Sequence, residues 1–97
     1  MPKTPSRSNN PPSIAELLHD AATRLQATST TPRLDAELLL AHTLGWPRAR
    51  VLAERQHHPS TEQAAAFAAL VARREQGEPV AYLVGRKEFY GLDLEVT

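Results

Sequence analysis

From Ser13 onward the apolar positions keep a helical rhythm, and after Gly77 they lose it. Ile14, Leu17, Leu18, Ala21, Ala22 and Leu25 recur three and four residues apart, with Glu16, Asp20, Thr23 and Arg24 on the opposite side. That spacing predicts an amphipathic helix running to about Ala27. Its start is written in Ser13-Ile14-Ala15-Glu16, a capping box in which the serine oxygen accepts from the third helical amide while Glu16 reaches back to the cap. A second helix is bracketed by Thr31-Pro32, an N-cap followed by proline at the first helical position, and by Gly45, suited to a left-handed C-cap. Leu34, Leu38, Leu39, Leu40, Ala41 and Leu44 spread round much of its circumference, so this helix is expected at the centre. Trp46-Pro47 restarts the chain, and Ala49, Val51, Leu52 and Ala53 predict a short third helix ending before His57-His58-Pro59. Ser60-Thr61-Glu62-Gln63 is a second capping box, and the helix it opens carries Ala64, Phe67, Ala68 and Val71 on one stripe before Gly77.

Beyond Gly77 the period changes. Pro79 to Val84 is a short apolar segment, and Leu92, Leu94 and Val96 alternate with Asp93 and Glu95, which is a strand signal. Tyr90-Gly91 marks a turn, so Arg86 to Tyr90 and Leu92 to Val96 are expected to pair as a hairpin. A lone hairpin is marginal in water, and this one reaches Thr97 with no cap or polar tail, so a further domain is expected after it. The predicted fold is mainly α: a small four-helix, orthogonal or bundle-like domain over residues 13–77, then a linker and short β-hairpin over residues 78–97. Residues 1–12 hold four of the eight prolines and no large apolar side chain except Met1, and are expected to form a disordered tail.

Composition narrows the function classes. At 97 residues the chain suits one domain, and the absence of cysteine removes any disulfide framework or thiolate zinc site. With nine residues in its longest apolar run, Ala64 to Ala72, it falls short of the roughly 20 needed to span a bilayer, and a cytoplasmic protein is expected. Eleven basic residues against eleven acidic ones argue against a general polyanion binder. His19, His42, His57 and His58 stand at no pairwise spacing of three or four, so no metal site is expected. Asp35 and Glu37, two apart on a helix, point in different directions and are expected to be solvated rather than to act as an acid–base pair. No nucleophile elbow, P-loop or glycine-rich dinucleotide loop occurs among the four glycines, so no catalytic residue is assigned.

Two surfaces remain. Arg48, Arg50 and Arg55, opposed by Glu54, form a local basic patch that would serve a free-standing helical nucleic-acid-binding module. The segment from Gly77 to Leu92 concentrates tyrosines, a phenylalanine, glycines and adjacent charges, a mixture that suits an interdomain or partner surface.

That segment, Gly-Glu-Pro-Val-Ala-Tyr-Leu-Val-Gly-Arg-Lys-Glu-Phe-Tyr-Gly-Leu, closely resembles the domain junction of the HemK/PrmC family of release-factor glutamine methyltransferases. Pro32-Arg33-Leu34-Asp35-Ala36-Glu37-Leu38-Leu39-Leu40-Ala41-His42 resembles a helix of the same family, and Arg73-Arg74 before Gly77-Glu78-Pro79 also fits. The resemblance implies an N-terminal helical substrate-recognition domain and hairpin linker ahead of a methyltransferase domain that binds S-adenosylmethionine. It implies peptide-chain release factors as partners, methylated on the glutamine amide of Gly-Gly-Gln, and the protein's own methyltransferase domain as a second partner. The family's Asn-Pro-Pro-Tyr motif and cofactor loop have no counterpart here, so this stretch is expected to be non-catalytic and to hold no cofactor. Glu78, Tyr82, Arg86 and Phe89 are the expected substrate or interdomain contacts.

Overall fold

The computed structural model describes residues 11–84. Within them lie five helices: α1 (Ile14–Leu25), α2 (Pro32–Leu44), α3 (Arg48–Ala53), α4 (Thr61–Glu75) and α5 (Val80–Val84). The first four match the expected helices. The expected hairpin from Arg86 to Val96 lies outside the described residues, as do residues 1–10 of the expected tail. None of the described helices is long and apolar enough to cross a membrane.

Both capping boxes form. The Glu16 amide donates to Ser13 Oγ at 3.2 Å and the Ser13 amide to Glu16 Oε1 at 2.8 Å. Gln63 and Ser60 repeat the exchange at 3.0 and 2.9 Å. The two remaining first-turn amides of α1 find acceptors on the α3–α4 connection: Ile14 N–H donates to the His57 carbonyl at 2.9 Å and Ala15 N–H to the Arg55 carbonyl at 3.0 Å. These groups have no partner within a helix, so the connection completes the start of α1.

Helix α2 closes as expected on Gly45 at φ +73°, with the Trp46 amide returning to the Ala41 carbonyl. Its start differs. Thr31 makes no side-chain cap, because its hydroxyl donates instead to Asp35 Oδ1 at 3.1 Å. Helix α2 packs against all four other helices, which is why its apolar residues surround it. Ala36, Leu39 and Leu40 are fully buried and meet Ile14, Leu18 and Leu25 of α1, Val51 of α3, and Phe67 and Val71 of α4 in one core.

Helix α5 is an addition to the four-helix expectation. The β-branched and aromatic residues of Val80-Ala81-Tyr82-Leu83-Val84 favour extended backbone in isolation. The Pro79 carbonyl accepts from the Tyr82 and Leu83 amides, and the turn so formed buries Leu83 and Val84 against the core. Tertiary burial outweighs local propensity here.

Candidate functional site

Charged residues of the resembling stretches, Asp35, Glu37 and Glu78, are each held by arginines rather than left in solvent. Asp35 and Glu37, expected in solvent, are each only 6% exposed, which corrects that reading. They do point to different sides of α2, but on a helix enclosed by four others both sides are covered. A buried carboxylate is tolerated when its oxygens are paired and hydrogen-bonded, and each of these is.

Asp35 accepts from the Ser29 hydroxyl at 2.6 Å, the Thr31 hydroxyl at 3.1 Å and Arg74 Nε at 3.0 Å. Ser29 Oγ in turn accepts from the Thr31 amide at 2.9 Å. Arg74, at the C-terminal end of α4, also donates through Nη1 to the Glu78 carbonyl at 3.3 Å. Asp35 and Arg74 therefore tie the start of α2 to the segment that leads into α5.

Glu78 is gripped at three points. Helix α4 ends on Gly77 at φ +102°, and the Glu78 amide reaches back to the Arg73 carbonyl at 3.3 Å. The Arg73 guanidinium meets the Glu78 carboxylate through two parallel bonds of 3.2 and 2.8 Å. Hydrogen bonding to Glu78, and then attraction to its charge, raises the Arg73 pKa above its ordinary value. The third grip is the bond from Arg74. A parallel tie, Arg24 to Glu75 at 2.6 Å with Thr28 Oγ1 donating to the Glu75 carbonyl, fixes the same end of α4 to α1.

Of the expected contacts, Glu78 is half-buried in this clamp and Tyr82 stands 69% exposed on α5. Arg86 and Phe89 lie outside the described residues. Sequence reasoning missed Ser29 and Arg74 as network members and assigned Asp35 and Glu37 to solvent. The available signal was that Asp35, Glu37 and Glu78 lie in the two resembling stretches and Arg74 just before the second.

Glu37 makes the second ionic site. Arg33 Nε donates to its Oε2 and Arg48 Nε to its Oε1, both at 2.9 Å. Beside it lies a cleft of about 180 Å³ between α2, the turn at Trp46-Pro47 and the end of α5. Leu38, Ala41, Trp46, Pro47 and Val84 supply its apolar walls, with Arg48 and His42 completing the lining.

Two of the three arginines of the basic patch read from sequence have carboxylate partners. Arg48 is paired with Glu37, while Arg50 bonds to Glu54 at 3.2 Å and stacks 3.9 Å over the Trp46 ring. His57 packs on the same indole, with ring centroids 5.1 Å apart. Among the described residues, no three His, Cys, Asp or Glu side chains cluster as a metal site.

The two positive-φ glycines among the described residues, Gly45 and Gly77, both terminate helices.

A family model, PrmC N-terminal domain, matches residues 16–85. A release factor glutamine methyltransferase of Coxiella burnetii is 44% identical over 85 residues, covering 88% of this chain and 31% of that protein. One from Rhodopirellula baltica is 48% identical over 68 residues, 70% of this chain and 23% of that protein. The Escherichia coli enzyme of the same name is 44% identical over 80 residues, 82% of this chain and 28% of that protein. The chain thus spans less than a third of the length of these relatives. No solved structure matches it significantly. With most of the chain inside the family match and its resembling stretches joined in one network, the chain belongs to the PrmC N-terminal domain family.

Proposed function

We propose that this domain recognises a peptide-chain release factor on behalf of an S-adenosylmethionine-dependent methyltransferase domain that modifies the glutamine amide of Gly-Gly-Gln. The observation that carries the reading is the match of residues 16–85 to a domain whose similar relatives are release factor glutamine methyltransferases. On this reading the chain is itself non-catalytic and works in the cytoplasm.

The physical role is to supply binding energy away from the reacting amide. A helical domain tethered to a catalytic one raises the effective concentration of its partner there, and remote contacts help orient the reacting group. Such a division requires a fixed angle at the junction. The clamp of Arg73 and Arg74 on Glu78, anchored through Asp35, supports that requirement. On this reading exposed Tyr82, together with Arg86 and Phe89, contacts the partner or the following domain.

Titration calorimetry of this chain tests the reading. It should bind a purified bacterial release factor and should show no saturable heat with S-adenosylmethionine. Saturable cofactor binding, or no interaction with the release factor, would overturn the assignment.

A further inference from the structure

We propose that the cleft between α2, the Trp46-Pro47 turn and α5 is a docking groove for an acidic, apolar segment of the protein partner, with Arg33 and Arg48 receiving its carboxylates. This inference deepens the proposed function and rests on it.

Charge carries the argument first. Two guanidinium groups converge on one carboxylate that is 8% exposed, while they themselves remain 44% and 47% exposed. Among the described residues, Arg33, Arg48 and Glu37 together keep one positive charge in excess. Each arginine is pinned through Nε, and among the described residues neither makes a further hydrogen bond. Among the described residues the Nη donors of both meet no acceptor, while the Nε bond to Glu37 holds each guanidinium, a geometry suited to receiving a planar carboxylate. A side chain that is held in place before binding loses less freedom on binding.

Shape supplies the second half. The cleft next to Arg48 is walled by aliphatic groups and the Trp46 indole, with a volume that admits about one large side chain rather than a nucleoside. An apolar anchor in a pocket beside a paired charge is the composition of an interface hot spot. Half-buried Leu38 sits one helical turn after Leu34, which is 38% exposed, so the apolar surface continues along α2 beyond the cleft. Phosphate groups would find the arginines but no counterpart for these walls, so a protein segment fits better than a nucleic acid.

The chain has a single tryptophan, and it lines the cleft. The indole N–H signal of Trp46 in the ¹⁵N-labelled chain therefore reports occupancy directly. On adding unlabelled bacterial release factor that signal should shift, and Arg33→Glu/Arg48→Glu should weaken binding at least tenfold. Because that pair of substitutions surrounds Glu37 with like charge, Leu38→Asn serves as a second variant that alters only a cleft wall, with thermal melts confirming that each variant folds. It should weaken binding as well. If the wild-type chain binds while the indole signal stays in place and both variants bind normally, the groove is wrong and the proposed function survives. If the wild-type chain fails to bind the release factor, the proposed function falls and this proposal falls with it. Two further results would overturn the groove alone: an indole shift produced by duplex RNA instead of the protein, or one produced by Phe89→Ser/Leu94→Ser in the absence of any partner, which would identify the chain's own residues as the occupant.

Discussion

Replacing Asp35 with alanine removes the acceptor shared by Ser29, Thr31 and Arg74 and leaves a guanidinium that is 17% exposed facing its empty position. Thr31 lies at the surface and its hydroxyl can turn to water, so the stranded arginine sets most of the magnitude. Stranding one member of a buried ion pair costs about 3–5 kcal/mol. A domain of this size has about 5–15 kcal/mol of total stability, so the variant should lose a large fraction of it. Urea unfolding followed by far-UV circular dichroism reads this loss directly. A double-mutant cycle with Arg74→Met isolates the pair, and a coupling of about 2 kcal/mol is expected for groups in direct contact. Replacing both residues at once, as Asp35→Leu/Arg74→Met, should lie within about 1 kcal/mol of the original chain, because a packed apolar pair commonly stands in for a buried ionic one. A coupling below about 0.5 kcal/mol would refute the claim that Asp35 and Arg74 act as a unit.

Leu40→Ala, at a fully buried position, should cost about 2–5 kcal/mol, whereas Leu38→Ala on the cleft wall should cost about 1 kcal/mol in the same denaturation assay. Gly45→Ala should lower stability by about 1–2 kcal/mol through backbone strain alone, since a Cβ there meets no atom within 4 Å; Gly45→Asn should cost less in a thermal melt. Binding to duplex DNA or RNA should be negligible at both about 50 and 200 mM salt, and tight, salt-sensitive binding lost in Arg48→Ala/Arg50→Ala would restore the nucleic-acid reading.

What could be read from the sequence was what local chemistry decides. Both capping boxes and the glycine closing α2 involve residues within a few positions of each other, and the structure reproduces each. The fate of Asp35 depends on Arg74, 39 residues away, and that of Glu37 on Arg48, eleven away. Nothing within one turn of α2 reveals either contact. Helix α5 was obscured for a related reason: its composition favours strand, and only packing against α2 and α4 makes it helical. Of the candidate contacts chosen by side-chain type, Glu78 has a covered, clamped environment and Tyr82 an open one, a difference set by Arg73 and Arg74.

The connection from Glu54 to Pro59 completes the first turn of α1 with carbonyl oxygens rather than side chains. Every residue type carries that oxygen, so Arg55, Gln56 and His57 are interchangeable as far as this task is concerned. The path of the backbone is not, because two consecutive amides must meet acceptors two residues apart. The loop should therefore accept wide variation in composition while resisting insertion or deletion of even one residue, which would shift both acceptors and leave the entry of α1 unsatisfied.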